Sequence, residues 1–183
     1  DSVDSEDLRN NSAGQDWYES RNDLPTLLFL DESNVGGDAS KKAGFVADTR
    51  NAYLTQEFST PQTGVFTVQW DIYVDSFITP SPSTYPYRAG FMMIGVDTDE
   101  NGPCRKDAER FVFLAFYKPG GGTTGTADLV AMLDFSTQIV VASNLNLDQW
   151  YTIKVVVNVT AGTYDIYLDG EYKTTVTAVT ALP

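Results

Sequence analysis

The run from Val65 to Ser76, VFTVQWDIYVDS, alternates without a break. Phe66, Val68, Trp70, Ile72 and Val74 fall on one face, and Thr67, Gln69, Asp71, Tyr73 and Asp75 on the other, which is the period of a half-buried strand. Trp150 to Val159, WYTIKVVVNV, repeats the pattern with Tyr151, Ile153, Val155, Val157 and Val159 inward. Ala161-Gly162 then makes a tight turn into TYDIYLDG, where Tyr164, Ile166 and Leu168 face in. Asp169-Gly170 is a type I′ hairpin signal leading into a strand over Glu171 to Val179. Such a chain must fold as antiparallel β-structure.

Three further segments are apolar on both faces: Tyr87 to Val96, Arg110 to Lys118 and Thr126 to Asp134. Strands of that kind are covered on both sides, or their outer face meets a ligand or another chain. The Pro- and Gly-rich loops at 79–86 and 119–125 are long enough to drape over such a face. Ten or eleven strands between Gly, Pro, Asn and Asp turns, with no helix, predict an all-β fold, an antiparallel two-sheet β-sandwich of the jelly-roll type. Residues 1–24 read as a polar N-terminal arm and 25–183 as a single sandwich domain. An arm so acidic, with Trp17 and Tyr18 as its large apolar groups, is held only by its own domain or by a neighbour.

Composition narrows the chemistry. The 183 residues carry 12 Lys and Arg against 25 Asp and Glu, for a net charge of −13, and contain no His. That field repels phosphate, so nucleic acid and anionic membrane are poor partners, whereas hard cations such as Ca²⁺ are favoured. Without His there is no Ser-His-Asp or Cys-His triad, and no His-ligated zinc or haem. Cys104 is the single cysteine and forms no internal disulfide. It is read as a free thiol, with pairing to a neighbouring subunit as the other option. Any catalysis falls to carboxylates, Tyr, Lys or Arg, which leaves glycosidase-like chemistry. No stretch approaches 18 apolar residues, so no membrane insertion is expected. Two sequons, at Asn10 and Asn158, are compatible with export.

WYTIKVVVNVTAGTYDIYLDGEYK resembles the closing hairpin of concanavalin A-like (laminin-G-like) sandwich domains. Those show a Trp-Tyr strand start, an alternating Val strand, a short turn and Tyr-x-x-Tyr-x-Asp-Gly. YLTQEFSTPQTGVFTVQWDIYVDS is similar to an earlier strand pair of the same superfamily. The resemblance implies the jelly roll but not one function, because the superfamily spans lectins, glycan-binding modules, glycosidases, polysaccharide lyases and adhesion domains. Such domains usually end on a further strand beside the N-terminal one. Here the sequence stops at Pro183, soon after TTVTAVTALP. The domain closes differently, the chain is cut, or an edge is left for another chain to fill.

Asp97, Asp99 and Asn101, followed by Gly102, match the first half of a Ca²⁺ loop. Position 12 of that loop is Ala108, so the bidentate acid must come from elsewhere, or the segment is a solvated acidic turn. Asp31, with Glu32, Ser33, Asn34 and Asp38, is a second Ca²⁺ candidate. For catalysis, Asp71 and Asp75 at i and i+4 of a strand lie roughly 13 Å apart. That exceeds the separations of about 5–9.5 Å used by glycosidases. The superfamily's glycosidases carry Glu-x-Asp-x-x-Glu, which is absent, and a Gln-x-His lyase site is impossible without His.

Sugar binding needs exposed rings beside polar groups, because sugars present apolar C–H faces and equatorial hydroxyls. Tyr73, Trp150 and Tyr167 lie at outward strand positions, with Gln69, Asp71, Lys154, Asn158 and Asp165 on the same faces. The alternative is that these rings only form cross-strand pairs. The expected function is a non-catalytic extracellular or cell-surface recognition or adhesion module. It would bind a polysaccharide or the glycan of a glycoprotein, with structural Ca²⁺. The alternatives are a structural subunit of an extracellular filament or surface assembly, joined to copies of itself by strand exchange, and a carboxylate-based glycoside hydrolase or polysaccharide lyase.

Overall fold

In a computed structural model of the chain, the structure describes residues 17–19, 28–45, 54–56, 60–77, 87–96, 107–134 and 136–180. The chain forms two compact units, residues 1–62 and 63–183. In the first, β1 (Trp17–Glu19), β2 (Leu28–Asp31), β3 (Lys42–Phe45) and β4 (Leu54–Gln56) make two small ladders. β2 pairs antiparallel with β3, and β1 with β4. The described strand of the acidic arm is therefore paired inside its own chain. Lys42 Nζ closes the loop between β2 and β3 by donating to Ser33 O at 2.8 Å and Ser40 O at 2.6 Å.

The second unit holds β5 (Val65–Tyr73), β6 (Arg88–Gly95), β7 (Arg110–Tyr117), β8 (Thr126–Met132), β9 (Gln138–Asn146), β10 (Trp150–Asn158), β11 (Thr163–Leu168) and β12 (Glu171–Thr177). They build two antiparallel four-stranded sheets, ordered β12-β11-β10-β5 and β6-β7-β8-β9. A 3₁₀ turn, Asp107–Glu109, precedes β7. The two-sheet β-sandwich expected from the strand pattern is what this unit forms.

Alternation places the core. Tyr151, Ile153, Val155 and Val157 of β10 are buried, with Tyr164, Ile166 and Leu168 of β11. They pack against Val112, Leu114 and Phe116 of β7 and Leu129 and Ala131 of β8. On β5, Phe66, Trp70 and Ile72 join this cluster, while Thr67, Gln69 and Asp71 are exposed. The two-faced strands are explained by a second buried cluster on the other side of the same sheet, formed by Phe113, Ala115, Val130 and Met132. Asp169 and Gly170 both have positive φ, 51° and 82°, as a type I′ turn requires. The strand expected to run to Val179 ends at Thr177, where Ala178 N–H turns to Gly162 O at 2.8 Å and Val179 is exposed.

Candidate functional site

Strand pairing collects the outward residues of three separate segments. β10 runs between β5 and β11, so Trp150 lies opposite Tyr73, Thr152 opposite Asp71, and Lys154 opposite both Gln69 and Tyr167. All six residues expected to touch a sugar, Gln69, Asp71, Tyr73, Trp150, Lys154 and Tyr167, therefore share the solvent face of one sheet. Asp165 and Asn158 lie on that face too.

The face has two aromatic ends. At one, the Tyr73 and Trp150 rings stand 5.4 Å apart, tilted by 51°. Partial burial, then the carboxylates of Asp148 and Asp75, hold the Tyr73 hydroxyl above its usual range, and it shares a hydrogen bond with Asp148. It is a neutral donor throughout physiological pH. Beside it, Thr152 Oγ1 donates to Asp71 Oδ1 at 2.6 Å, and Thr152 N–H donates to Asp169 Oδ1 at 2.8 Å. Half-buried rings bordered by fixed carboxylates suit a ligand with an apolar face and a rim of hydroxyls.

At the other end Tyr167 meets Tyr172 edge-on at 5.6 Å. Lys154 Nζ sits 3.9 Å from the centre of the Tyr167 ring, so an ammonium occupies one face of that ring. Tyr172 is 51 % exposed, and its hydroxyl bonds Thr175 Oγ1 at 2.9 Å. Thr175 Oγ1 in turn reaches Asp165 Oδ1 at 2.5 Å. Tyr172, Thr152 and Asp148 join this site without having been singled out in the sequence, and Asp169, expected only as a turn residue, joins it too. The signal for Tyr172 was present, because a two-residue Asp-Gly turn sets the register that puts it beside Tyr167.

Of the Ca²⁺ candidates, Asp97, Asp99 and Asn101 lie outside the described residues. Asp31 Oδ1 accepts the Ser33 N–H at 2.8 Å and the Ser33 hydroxyl at 2.5 Å. These two bonds, with a smaller contribution from Lys42, lower its pKa. Among the described residues, no three His, Cys, Asp or Glu side chains gather to hold a metal ion. Tyr87, beside the Pro-rich loop, carries φ 62° and packs its ring against the backbone of Gly121, where a Cβ would come within 2.8 Å.

No family model matches this sequence, and no curated protein matches it. Among solved structures it is similar to the globular domain of T. cruzi calreticulin, with a TM-score of 0.55 and 15 % identity. The match covers 88 % of this chain and 60 % of that one, so this chain spans less than two thirds of its neighbour. A likeness at such low identity concerns the fold. The chain has an antiparallel two-sheet β-sandwich fold similar to that of the calreticulin globular domain.

Proposed function

We propose that this chain is a non-catalytic glycan-binding module of a secreted or cell-surface protein, and that it binds through the solvent face of the β12-β11-β10-β5 sheet. The observation that carries the reading is the convergence of six sugar-compatible side chains from three strands. Their rings are half-buried, Asp71 is held by a hydrogen bond from Thr152, and Lys154 lies over the Tyr167 ring. Rigid aromatic area beside preset donors and acceptors lowers the ordering cost of binding a flexible oligosaccharide. The lectin-type fold supports the reading by analogy only. The test is a glycan array of neutral and acidic oligosaccharides probed with the whole chain, with Ca²⁺ and with EDTA. Retention of at least one glycan class is expected, and signal lost with EDTA would bring Ca²⁺ into the reading. Silence across the array in both buffers would remove it.

A second reading, self-assembly through strand addition, is favoured by one strand. β9 is a terminal strand of its sheet and holds no charge and no Pro, and Ile139 and Val140 are 36 % and 50 % exposed. Native edges are usually blunted by a charged residue or a proline. Size-exclusion chromatography with light scattering should then show a concentration-dependent dimer that Val140→Lys dissociates. A monomer at every concentration would eliminate this reading.

A further inference from the structure

A separate cavity of about 220 Å³ opens at the far end of the other sheet, between the β7–β8 hairpin and β9. Its walls are mostly polar, formed by Lys118, Pro119, Thr126, Asp128, Ser143 and Asn144. It is made by a β-bulge. Ala127 pairs with Leu145 and Leu129 with Ala142, so Ser143 and Asn144 together oppose Asp128. Asn144 takes φ 58°, and its N–H donates to Asp128 Oδ1 at 3.0 Å. The bulge thereby fixes one carboxylate and turns two polar side chains to the opening.

The cation is fixed as firmly. Lys118 Nζ donates to Thr126 O at 2.9 Å. Its stem lies along the glycine-rich loop, where a Cβ at Gly122 would come 3.1 Å from Cε and one at Gly125 would come 3.6 Å from Nζ. Both glycines hold positive φ, 99° and 96°, a conformation that L side chains rarely adopt, so the backbone here favours glycine. An ammonium with hydrogens to spare and a carboxylate with lone pairs to spare thus line one small cavity.

We propose that this cavity is a binding site for one neutral sugar ring, held through two adjacent hydroxyls. One hydroxyl donates to Asp128, and its neighbour accepts from both Lys118 and the Asn144 amide. Each hydroxyl both gives and takes a hydrogen bond, so a neutral polyol satisfies both charges without bringing one of its own. A carboxylate guest would meet Asp128, an ammonium guest would meet Lys118, and an apolar guest would leave both unsolvated. The volume lies below the roughly 300 Å³ at which drug-sized sites begin, which limits the guest to about one ring. The site stands on its own residues and does not rest on the Tyr73–Trp150 face.

The test is a ¹H–¹⁵N NMR titration of the whole chain with D-glucose, D-galactose and D-mannose, and with glycine as a zwitterionic probe, each to about 50 mM, a range suited to millimolar Kd. Saturable shifts at Lys118, Asp128 and Asn144 with at least one sugar are expected. Asn144→Gly suits the backbone and removes only the side chain, while Asp128→Asn keeps an oxygen for the Asn144 N–H. Each should weaken the sugar by about tenfold or more with the rest of the spectrum unchanged. The proposal is overturned if no sugar saturates the site, if glycine saturates it in their place, or if neither variant alters the sugar's Kd. Sugar shifts confined to the Tyr73–Trp150 face would also overturn it, while leaving the sheet-face reading intact.

Discussion

Phe116→Ala should cost about 3–5 kcal/mol, the range for deleting a fully enclosed aromatic side chain whose surroundings collapse only in part. Phe116 has no exposed surface, and its ring centre lies 6.0 Å from that of Tyr151 on the facing sheet. It also backs onto Gly90, where an added Cβ would stand 3.5 Å from the Phe116 ring and 2.9 Å from Ile72 Cδ1. Against a total stability of roughly 5–15 kcal/mol, that loss is a large share. Tyr172→Ala is the control, since Tyr172 is half exposed and gives up little beyond its ring pair, about 0.5–1.5 kcal/mol. Urea unfolding of both variants checks the ordering. A larger loss at Tyr172 would mean that the core does not lie between these sheets.

Stability should also fall steeply in alkali because of Tyr164. Its side chain is 2 % exposed, and burial drives the hydroxyl pKa far above the ordinary 10.0 despite a backbone hydrogen bond with Phe113. Above about pH 10 the unfolded chain loses this proton and the folded one keeps it, so the native state binds more protons and stability declines with pH. One such group contributes a slope of about 1.4 kcal/mol per pH unit between its unfolded and folded pKa values. Below pH 10 the contribution is complete and flat. Tyr151 shifts in the same direction, again chiefly through burial, and adds to the effect. Tyr164→Phe should lower the alkaline slope by about 1.4 kcal/mol per pH unit while leaving a folded domain at pH 7. Equal slopes in the two proteins, measured by denaturant melts from pH 8 to 11.5, would place the Tyr164 hydroxyl in water.

The strands legible in the sequence were those whose two faces meet different surroundings. β5, β10 and β11 alternate because one side packs on the core and the other faces solvent, and their residues were assigned to the correct faces. The outward set on these strands could be read for the same reason. What lay hidden depends on register and on bulges. β9, QIVVASNLN, escapes the alternation rule because its ladder is irregular twice, at Val141 and at Ser143–Asn144, and Ile139 and Val140 are both partly exposed. The small cavity at its end was invisible with it, since Asp128 and Asn144 converge only through that irregularity. Lys154 was assigned to the sugar-binding set, but nothing in its spacing shows that its ammonium lies over Tyr167.

The central claim is that the Tyr73–Trp150 end of the β12-β11-β10-β5 sheet binds glycan. The most direct measurement compares the dissociation constant of an array-positive glycan for the wild-type chain, Tyr73→Ala and Phe91→Ala. Phe91 is a 40 % exposed aromatic on the other sheet, stacked 5.8 Å from Phe113, and controls for exposed rings in general. Tyr73→Ala should weaken binding by about tenfold or more, the equivalent of ~1.4 kcal/mol, and Phe91→Ala should leave it unchanged. The opposite ordering, with Phe91→Ala abolishing binding and Tyr73→Ala retaining it, would move the site to the other sheet and contradict the account.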